Sequence, residues 1–227
     1  MVPVPLTEAQ WFSFINYSRM LNDVKRQWNA GRSRPGKRKL RLFACGSCRT
    51  LLWHLTVPEE FRRVVVLAEQ LADDQSSKPP TITGFYNLLP KPMHGSAWCA
   101  AYAMHQTTLR SAGAAARSTA QYLVYALHED GPRKVKQHLA NLVRDVFGNP
   151  FRPVSVDASW LSWHDATIPK IAQTIYDERR FENLPILADA LEEAGCVDAD
   201  ILRHCREPGQ HIRGCWVVDL VRKQSEK

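Results

Sequence analysis

The chain has no apolar run long enough to span a bilayer and no strand-like alternation of useful length. A membrane-spanning helix needs about 20 predominantly apolar residues, and the uncharged stretches of this chain are interrupted by His, Gln, Thr and Ser. The N-terminus, Met1-Val-Pro-Val-Pro, is followed by Glu8 and Gln10 and lacks the apolar region of a signal peptide. We therefore expect a cytoplasmic protein that makes no membrane contact.

Cysteine is also scarce, and the common catalytic motifs are missing. Six cysteines in 227 residues are too few for a disulfide-stabilised scaffold, so we expect thiols that are reduced or bound to a metal. The sequence contains no Gly-rich phosphate loop, no Gly-x-Ser-x-Gly element and no His-Glu-x-x-His pair. These absences favour a protein that is not an enzyme, and we assign no catalytic residue.

The residues that are present predict an all-α protein. Hydrophobic residues make up 44% and charged residues 23% of the chain, which is ordinary for a soluble globular protein. Apolar residues recur at three- and four-residue steps along most of the sequence. We predict one domain over residues 1–227, with roughly eight to ten helices and with the N- and C-terminal thirds packed together.

Several local signals mark where helices begin and end. Thr7 and Gln10 have the spacing of a capping box, Gly148 and Gly195 follow helical stretches at the position typical of a C-terminal glycine, and Asp198 precedes a short helix as an N-cap. The alanine-rich stretch from residue 96 to residue 127 has helical spacing, and Gly113 is where we expect an interruption.

A basic segment follows the first helices. The chain carries a formal net charge of +7 and a pI near 9.2, and its densest run of cations lies between residues 25 and 41, with no acid after Asp23. Glycine, proline and the lack of an apolar anchor predict an exposed loop over about residues 29–39. One interpretation is a solvated linker and the other is an arm that contacts phosphates. The candidate phosphate-binding residues are Lys25, Arg26, Arg32, Arg34, Lys37, Arg38, Lys39 and Arg41.

Cysteine and histidine concentrate in two places that together suggest a metal site. Cys45 and Cys48 form the only Cys-x-x-Cys of the chain, and His211 and Cys215 lie one helical turn apart near its end. Zinc takes about four nitrogen or sulfur ligands, often as two spaced pairs. These four residues are therefore the candidate ligands of a structural zinc. The alternatives for the second pair are His204, Cys205 and Cys196.

Buried core residues are the competing and preferred interpretation of these cysteines. Free cysteine is among the residue types most often buried, and both segments have the pattern of core helices, so the sequence favours no cofactor. A redox role of Cys45 and Cys48 would require a preceding strand, which the pattern does not show. Adjacent residues on a helix point in different directions, so His204 next to Cys205 does not indicate a catalytic pair.

Several phrases resemble a known family. They are Lys39-Leu-Arg-Leu-Phe-Ala-Cys45 with Cys48-Arg49, then Phe147-Gly-Asn-Pro-Phe-Arg-Pro-Val154, and finally His211-Ile-Arg-Gly-Cys-Trp-Val-Val-Asp219. The chain resembles a large family of uncharacterised bacterial proteins, known best from planctomycete-type genomes with many paralogues. The family usually carries a further cysteine where this chain has Ser47. The resemblance implies a shared helical fold and no activity.

We expect, by elimination, a non-enzymatic interaction or adaptor module that binds a protein partner within a larger assembly. The first alternative is an accessory protein that binds nucleic acid through the basic segment of residues 25–41. The second alternative is a Cys/His-dependent enzyme or a zinc-stabilised module.

Overall fold

A computed structural model describes residues 4–27, 29–55, 57–74, 87, 95–129 and 131–222. In these ranges the chain forms α-helices and one short 3-10 turn, Phe181–Asn183, and no strand. The all-α class predicted from the sequence is confirmed. The helices are α1 (Glu8–Ser13), α2 (Tyr17–Gln27), α3 (Arg34–Leu52), α4 (Glu59–Asp73), α5 (Ser96–Gln106), α6 (Ala112–Ala126), α7 (Pro132–Phe147), α8 (Ala158–Glu178), α9 (Leu184–Glu193), α10 (Ala199–Arg206) and α11 (Trp216–Arg222).

The chain groups into two compact units, which we name the N-terminal unit (Met1–Arg144) and the C-terminal unit (Asp145–Lys227). The single domain predicted from the sequence depends on how these units relate to each other and stays a prediction. Over the described ranges, no helix has both the length and the apolar character that crossing a membrane requires.

Most of the helix-end signals act as the sequence predicts. Thr7 and Gln10 form the capping box: the Thr7 hydroxyl accepts the Gln10 N–H at 3.3 Å and the Gln10 side chain accepts the Thr7 N–H at 3.0 Å. Asp198 accepts two backbone N–H groups at 2.9 and 3.1 Å and caps α10. Gly148 and Gly195 adopt positive φ after α7 and α9, the conformation that glycine reaches without strain.

Helix α3 lies at the centre of the N-terminal unit, in contact with α4, α5 and α6. All residues from 40 to 48 are buried, so this helix is covered on every side in that stretch. The alanine-rich helices α5 and α6 pack closely against each other and against α3. Small side chains permit this close approach, which explains the alanine content of the two helices.

The alanine-rich stretch is interrupted before Gly113, not at it. Helix α5 ends at a turn in which the Thr107 and Thr108 hydroxyls donate to backbone carbonyls three residues earlier, at 2.7 and 2.8 Å. The Ser111 hydroxyl then accepts a backbone N–H at 3.3 Å and caps α6, so Gly113 lies inside the first turn of α6. Hydroxyl groups that compete for backbone partners, and not glycine, separate the two helices.

The exposed basic loop is shorter than predicted. Ser33 accepts the Gly36 N–H at 3.2 Å and caps α3, which begins at Arg34. Pro35 lies in the first turn of this helix, where proline is favoured because its missing N–H has no helical partner to lose. Gly36 is needed for space, since a Cβ there would lie 2.2 Å from the Cα of Ala30. Proline and glycine here start a helix, and only residues 29–33 form the turn.

The C-terminal unit is built from α8 to α11 around one apolar core. Ile168, Ile175, Leu187, Ile201 and Val217 are fully or almost fully buried in it. Helix α8 is interrupted at residues 163–166, and the last three of these have positive φ. Helix α8 packs on α9 and α11, and α9 packs on α10.

Arg41 is a buried cation that joins α3 to the connection between α5 and α6. Its guanidinium donates to the carbonyls of Thr107 at 2.5 Å, Leu109 at 2.9 Å and Arg110 at 3.3 Å. Only 5% of Arg41 is exposed. The guanidinium thus satisfies carbonyl groups that follow the C-terminus of α5, where cations are favoured.

Replacing Arg41 with Met should destabilise the protein by about 3 kcal/mol, because it leaves carbonyl groups without their charged donor. Equilibrium denaturation in urea measures this free energy. The control is Lys37→Met on the exposed side of the same helix, which should change it by less than about 0.5 kcal/mol. Equal effects of the two substitutions would contradict a specific role of Arg41.

Candidate metal centre

Four side chains that can bind a metal come together in the C-terminal unit. Asp145 lies near the end of α7, His204 lies in α10, and His211 and Cys215 lie in the segment between α10 and α11. Each presents one donor atom, and all four donor atoms lie within 4.8 Å of one another. The group could hold a metal ion.

The donor atoms face a common point. His211 Nδ1 lies 2.6 Å from Asp145 Oδ1, and His204 Nε2 lies 3.3 Å from the same oxygen. Cys215 Sγ lies 3.2 Å from His204 Nε2 and 4.0 Å from His211 Nδ1. One carboxylate, two imidazoles and one thiol therefore converge, and each uses a single atom.

These separations are close to those between the ligands of a tetrahedral shell. With zinc bonds of about 2.0 to 2.3 Å to oxygen, nitrogen and sulfur, neighbouring ligand atoms lie about 3.3 to 3.6 Å apart. Four of the six distances between the donor atoms run from 2.6 to 4.0 Å, around this value, and all six are within 4.8 Å. Small movements of the side chains would equalise them.

The surroundings orient two of the four ligands. The second carboxylate oxygen of Asp145 accepts the backbone N–H of Ile212 at 3.0 Å, which leaves only Oδ1 for the centre. The backbone N–H groups of Val217 and Val218, at the start of α11, favour the thiolate form of Cys215. Hydrogen bonds to the residues that bind a metal directly hold those residues in place.

The carboxyl of Asp145 and the thiol of Cys215 are both buried but have opposite pKa shifts. Burial would raise the pKa of Asp145, but hydrogen bonds with His204 and His211 outweigh it and lower this pKa to about 2. Burial raises the pKa of the Cys215 thiol well above its ordinary value, and the neighbouring carboxylate of Asp145 raises it further. Asp145 is thus an anion and Cys215 a neutral thiol.

The arrangement is not a Cys–His–Asp proton relay. In such a relay the imidazole binds the thiol with one nitrogen and the carboxylate with the other. Here Nε2 of His204 faces both Cys215 and Asp145, and Nδ1 of His211 also faces both. Donor atoms that share one focus suit coordination of an ion and do not form a path for a proton.

The structure brings together one half of the ligand set predicted from the sequence. His211 and Cys215 belong to the group, and His204, an alternative in the sequence analysis, joins them. Sequence reasoning missed Asp145. The feature of the sequence that could have identified Asp145 is its position as a lone carboxylate on an otherwise basic helix, next to the buried residues Leu142, Val143 and Val146.

Cys45 and Cys48 are placed in the N-terminal unit, on α3, and are not members of this group. Both are fully buried, and burial raises the pKa of each thiol. Their neighbourhood includes a partly buried ion pair, in which Arg49 donates to the buried Glu69 at 2.6 and 2.9 Å. Inert core thiols, the preferred interpretation of the sequence, agree with this placement.

The basic residues predicted to contact phosphates divide into two sets. Arg38 donates to Asp73 at 2.8 Å and is 8% exposed, and Arg41 is buried as described above. Their burial and internal bonds remove these two arginines as phosphate-binding candidates. For the others the interpretation stays a prediction, since their side chains are at least partly exposed: Lys25, Arg26, Arg32, Arg34, Lys37 and Lys39.

Comparison of the chain with protein-family models, with curated proteins and with solved structures finds no significant match. Its function is therefore inferred from the geometry of the site.

The rates at which the cysteines are alkylated test whether all six thiols are inert or one of them is activated. Cys99 is partly exposed, whereas the other five cysteines are buried. We expect iodoacetamide to modify Cys99 first, and more slowly than free cysteine, because burial raises the Cys99 pKa and lowers its thiolate fraction at neutral pH. The rate should increase with pH, as followed by peptide mass spectrometry. Faster modification of Cys215 would indicate an activated thiol instead.

Proposed function

We propose that the C-terminal unit binds one zinc ion through Asp145, His204, His211 and Cys215, and that the ion has a structural role. The observation that supports this proposal is that donor atoms of four different side chains all lie within 4.8 Å of one another. Cys215 and the two histidines are nitrogen and sulfur ligands, which suit zinc and disfavour magnesium or calcium.

Charge balance supports a divalent ion. The carboxylate of Asp145 and the thiolate of Cys215 would together neutralise two positive charges, and neutral imidazoles add none. Asp145 is 4% exposed and Cys215 is fully buried, and an unbalanced charge in such a place is costly. A zinc ion with these ligands forms a neutral buried centre.

A structural role follows from the number of protein ligands. Catalytic zinc sites keep one position open for water or substrate, whereas structural sites take all four ligands from the protein. Here four protein ligands surround the common point. The ion would tie the end of α7 and helix α10 to residues 207–215, which have little regular structure of their own.

The resulting picture of the whole protein is a metal-stabilised, non-enzymatic helical module that acts by binding a partner. Two features support the metal-stabilised, non-enzymatic part of this proposal: a closed ligand set and the lack of a proton relay at the one cluster of ligating side chains among the described residues. The partner is a protein in our first interpretation. The alternative partner is nucleic acid, which would bind to a surface of the N-terminal unit and not at the metal centre.

Metal content tests the centre directly. Purified protein should contain about one zinc per chain by elemental analysis, and Cys215→Ser or His204→Gln should lower this content strongly. Cobalt in place of zinc should give visible absorption with a sulfur-to-cobalt band that Cys215→Ser removes. Free zinc at about 100 times the dissociation constant should stabilise the fold by about 2.7 kcal/mol.

Matched controls keep this test specific. Cys99→Ser and His128→Gln change the same residue types at exposed or partly exposed positions outside the group, and both should leave zinc content and stability unchanged. A protein that takes up no zinc or cobalt and unfolds at the same temperature with and without them would reduce the cluster to a set of hydrogen bonds.

A further inference from the structure

The exposed side of helix α6 in the N-terminal unit combines cations and aromatic rings. Arg117, Gln121 and Tyr125 follow one another at four-residue steps and are all exposed, so they form a single row. The Gln121 side chain donates to the Tyr125 hydroxyl at 3.0 Å. This row and the side chains beside it are called the α6 face below.

Positive charge gathers at the N-terminal end of the α6 face. The Lys25 ammonium donates to the carbonyl of Gly113 at 3.4 Å. Burial lowers the Lys25 pKa, and the nearby charge of Arg117 lowers it further. Arg110 precedes the cap of α6 and is exposed, and the first turn of the helix carries no acidic residue. Like charges held close together favour an anionic partner that neutralises them.

Aromatic rings gather toward the C-terminal end of the same face. Tyr125 is 52% exposed, and its ring centroid lies 6.0 Å from that of Tyr122. Tyr122 lies 4.5 Å from Tyr102 on α5, and Tyr102 stacks on Trp98 at 4.8 Å. The last three rings are partly exposed. Together they form a continuous aromatic surface.

We propose that the α6 face binds single-stranded nucleic acid, with phosphates at Arg117 and Lys25 and bases against Tyr125 and its neighbours. Proteins that bind single strands combine a positive track for the backbone with rings on which unpaired bases stack. A duplex offers its phosphates but keeps its bases stacked inside. It would therefore contact the cations but not the aromatic rings. An acidic peptide would also use only the cations.

The α6 face differs from the basic segment predicted from the sequence. It retains Lys25 from that segment, excludes the buried Arg38 and Arg41, and adds residues of α5 and α6 that lie far away in the sequence. The proposal does not depend on the metal centre, because every residue of the α6 face belongs to the N-terminal unit.

Fluorescence anisotropy with the full-length protein tests this proposal. The probes are a fluorescein-labelled oligothymidine of about 15 nucleotides, its oligouridine equivalent and a hairpin duplex of similar length. We expect tighter binding of the single strands, with an affinity that falls as salt rises from about 50 to 200 mM. Arg117→Glu should weaken binding about tenfold at low salt and reduce the salt dependence.

The aromatic part of the proposal has its own variants. Tyr125→Ser should weaken single-strand binding about fivefold or more with an unchanged salt dependence, whereas Tyr125→Phe should keep most of it. The matched controls are Arg133→Glu on α7, which makes the same change in net charge, and Phe12→Ser, which removes a ring that is 50% exposed elsewhere in the unit. Circular dichroism and thermal unfolding verify the fold of each variant. Arg117→Gln replaces Arg117→Glu if the charge reversal disturbs the fold.

Three results would overturn the proposal. Equal or tighter binding of the duplex would show that the rings take no part. Equal weakening by Arg133→Glu and Arg117→Glu would reduce binding to net charge. Equal displacement of the probe by a polyglutamate peptide of the same charge would point to an acidic protein partner instead.

Discussion

The arrangement of the candidate centre depends on the hydrogen bonds that the buried carboxylate of Asp145 requires. A buried anion is tolerated only where donors or cations surround it. One of its oxygens takes the backbone N–H of Ile212, and the other lies within 3.3 Å of both His204 and His211. The need to satisfy this single charge therefore fixes where α10 and the following segment lie relative to the end of α7.

The same requirement explains why the four side chains suit two chemical states. With protons only, the carboxylate is paired with the imidazoles and the thiol remains neutral in its buried position. If a divalent ion bound here as proposed, the thiol would lose its proton and the centre would be neutral with two anionic ligands. A neutral thiol in an apolar core needs no carboxylate beside it, so the buried charge of Asp145 requires partners other than Cys215, which here are the two histidines and the backbone N–H of Ile212.

The sequence predicted the helical elements better than the partners of their side chains. Capping at Thr7 and Asp198 depends on residues two or three positions away, and such local signals are visible in a pattern. The loop predicted at Pro35 and Gly36 is wrong, because proline and glycine occur both in loops and in the first turns of helices. Only the hydroxyl of Ser33 and the tight space beside Ala30 distinguish the two cases.

Only half of the candidate site could be predicted from the sequence, for a related reason. His211 and Cys215 lie one turn apart, whereas Asp145 is separated from His211 by 66 positions, and no spacing rule connects them. A lone carboxylate on the apolar side of a basic helix does indicate that a partner must exist, because its charge needs one. It does not indicate which of the distant histidines supplies it.

The arginines show the same limit in the other direction. Arg38 and Arg41 look like members of one basic run, yet each is buried and bonded to a group far along the chain. Arg117 lies outside that run and is exposed beside Lys25. Charge counted along the sequence therefore identifies a basic protein but not its basic surface. That surface is decided by which cations the fold uses for its own carbonyl and carboxylate groups, and the remaining cations are those that a partner can reach.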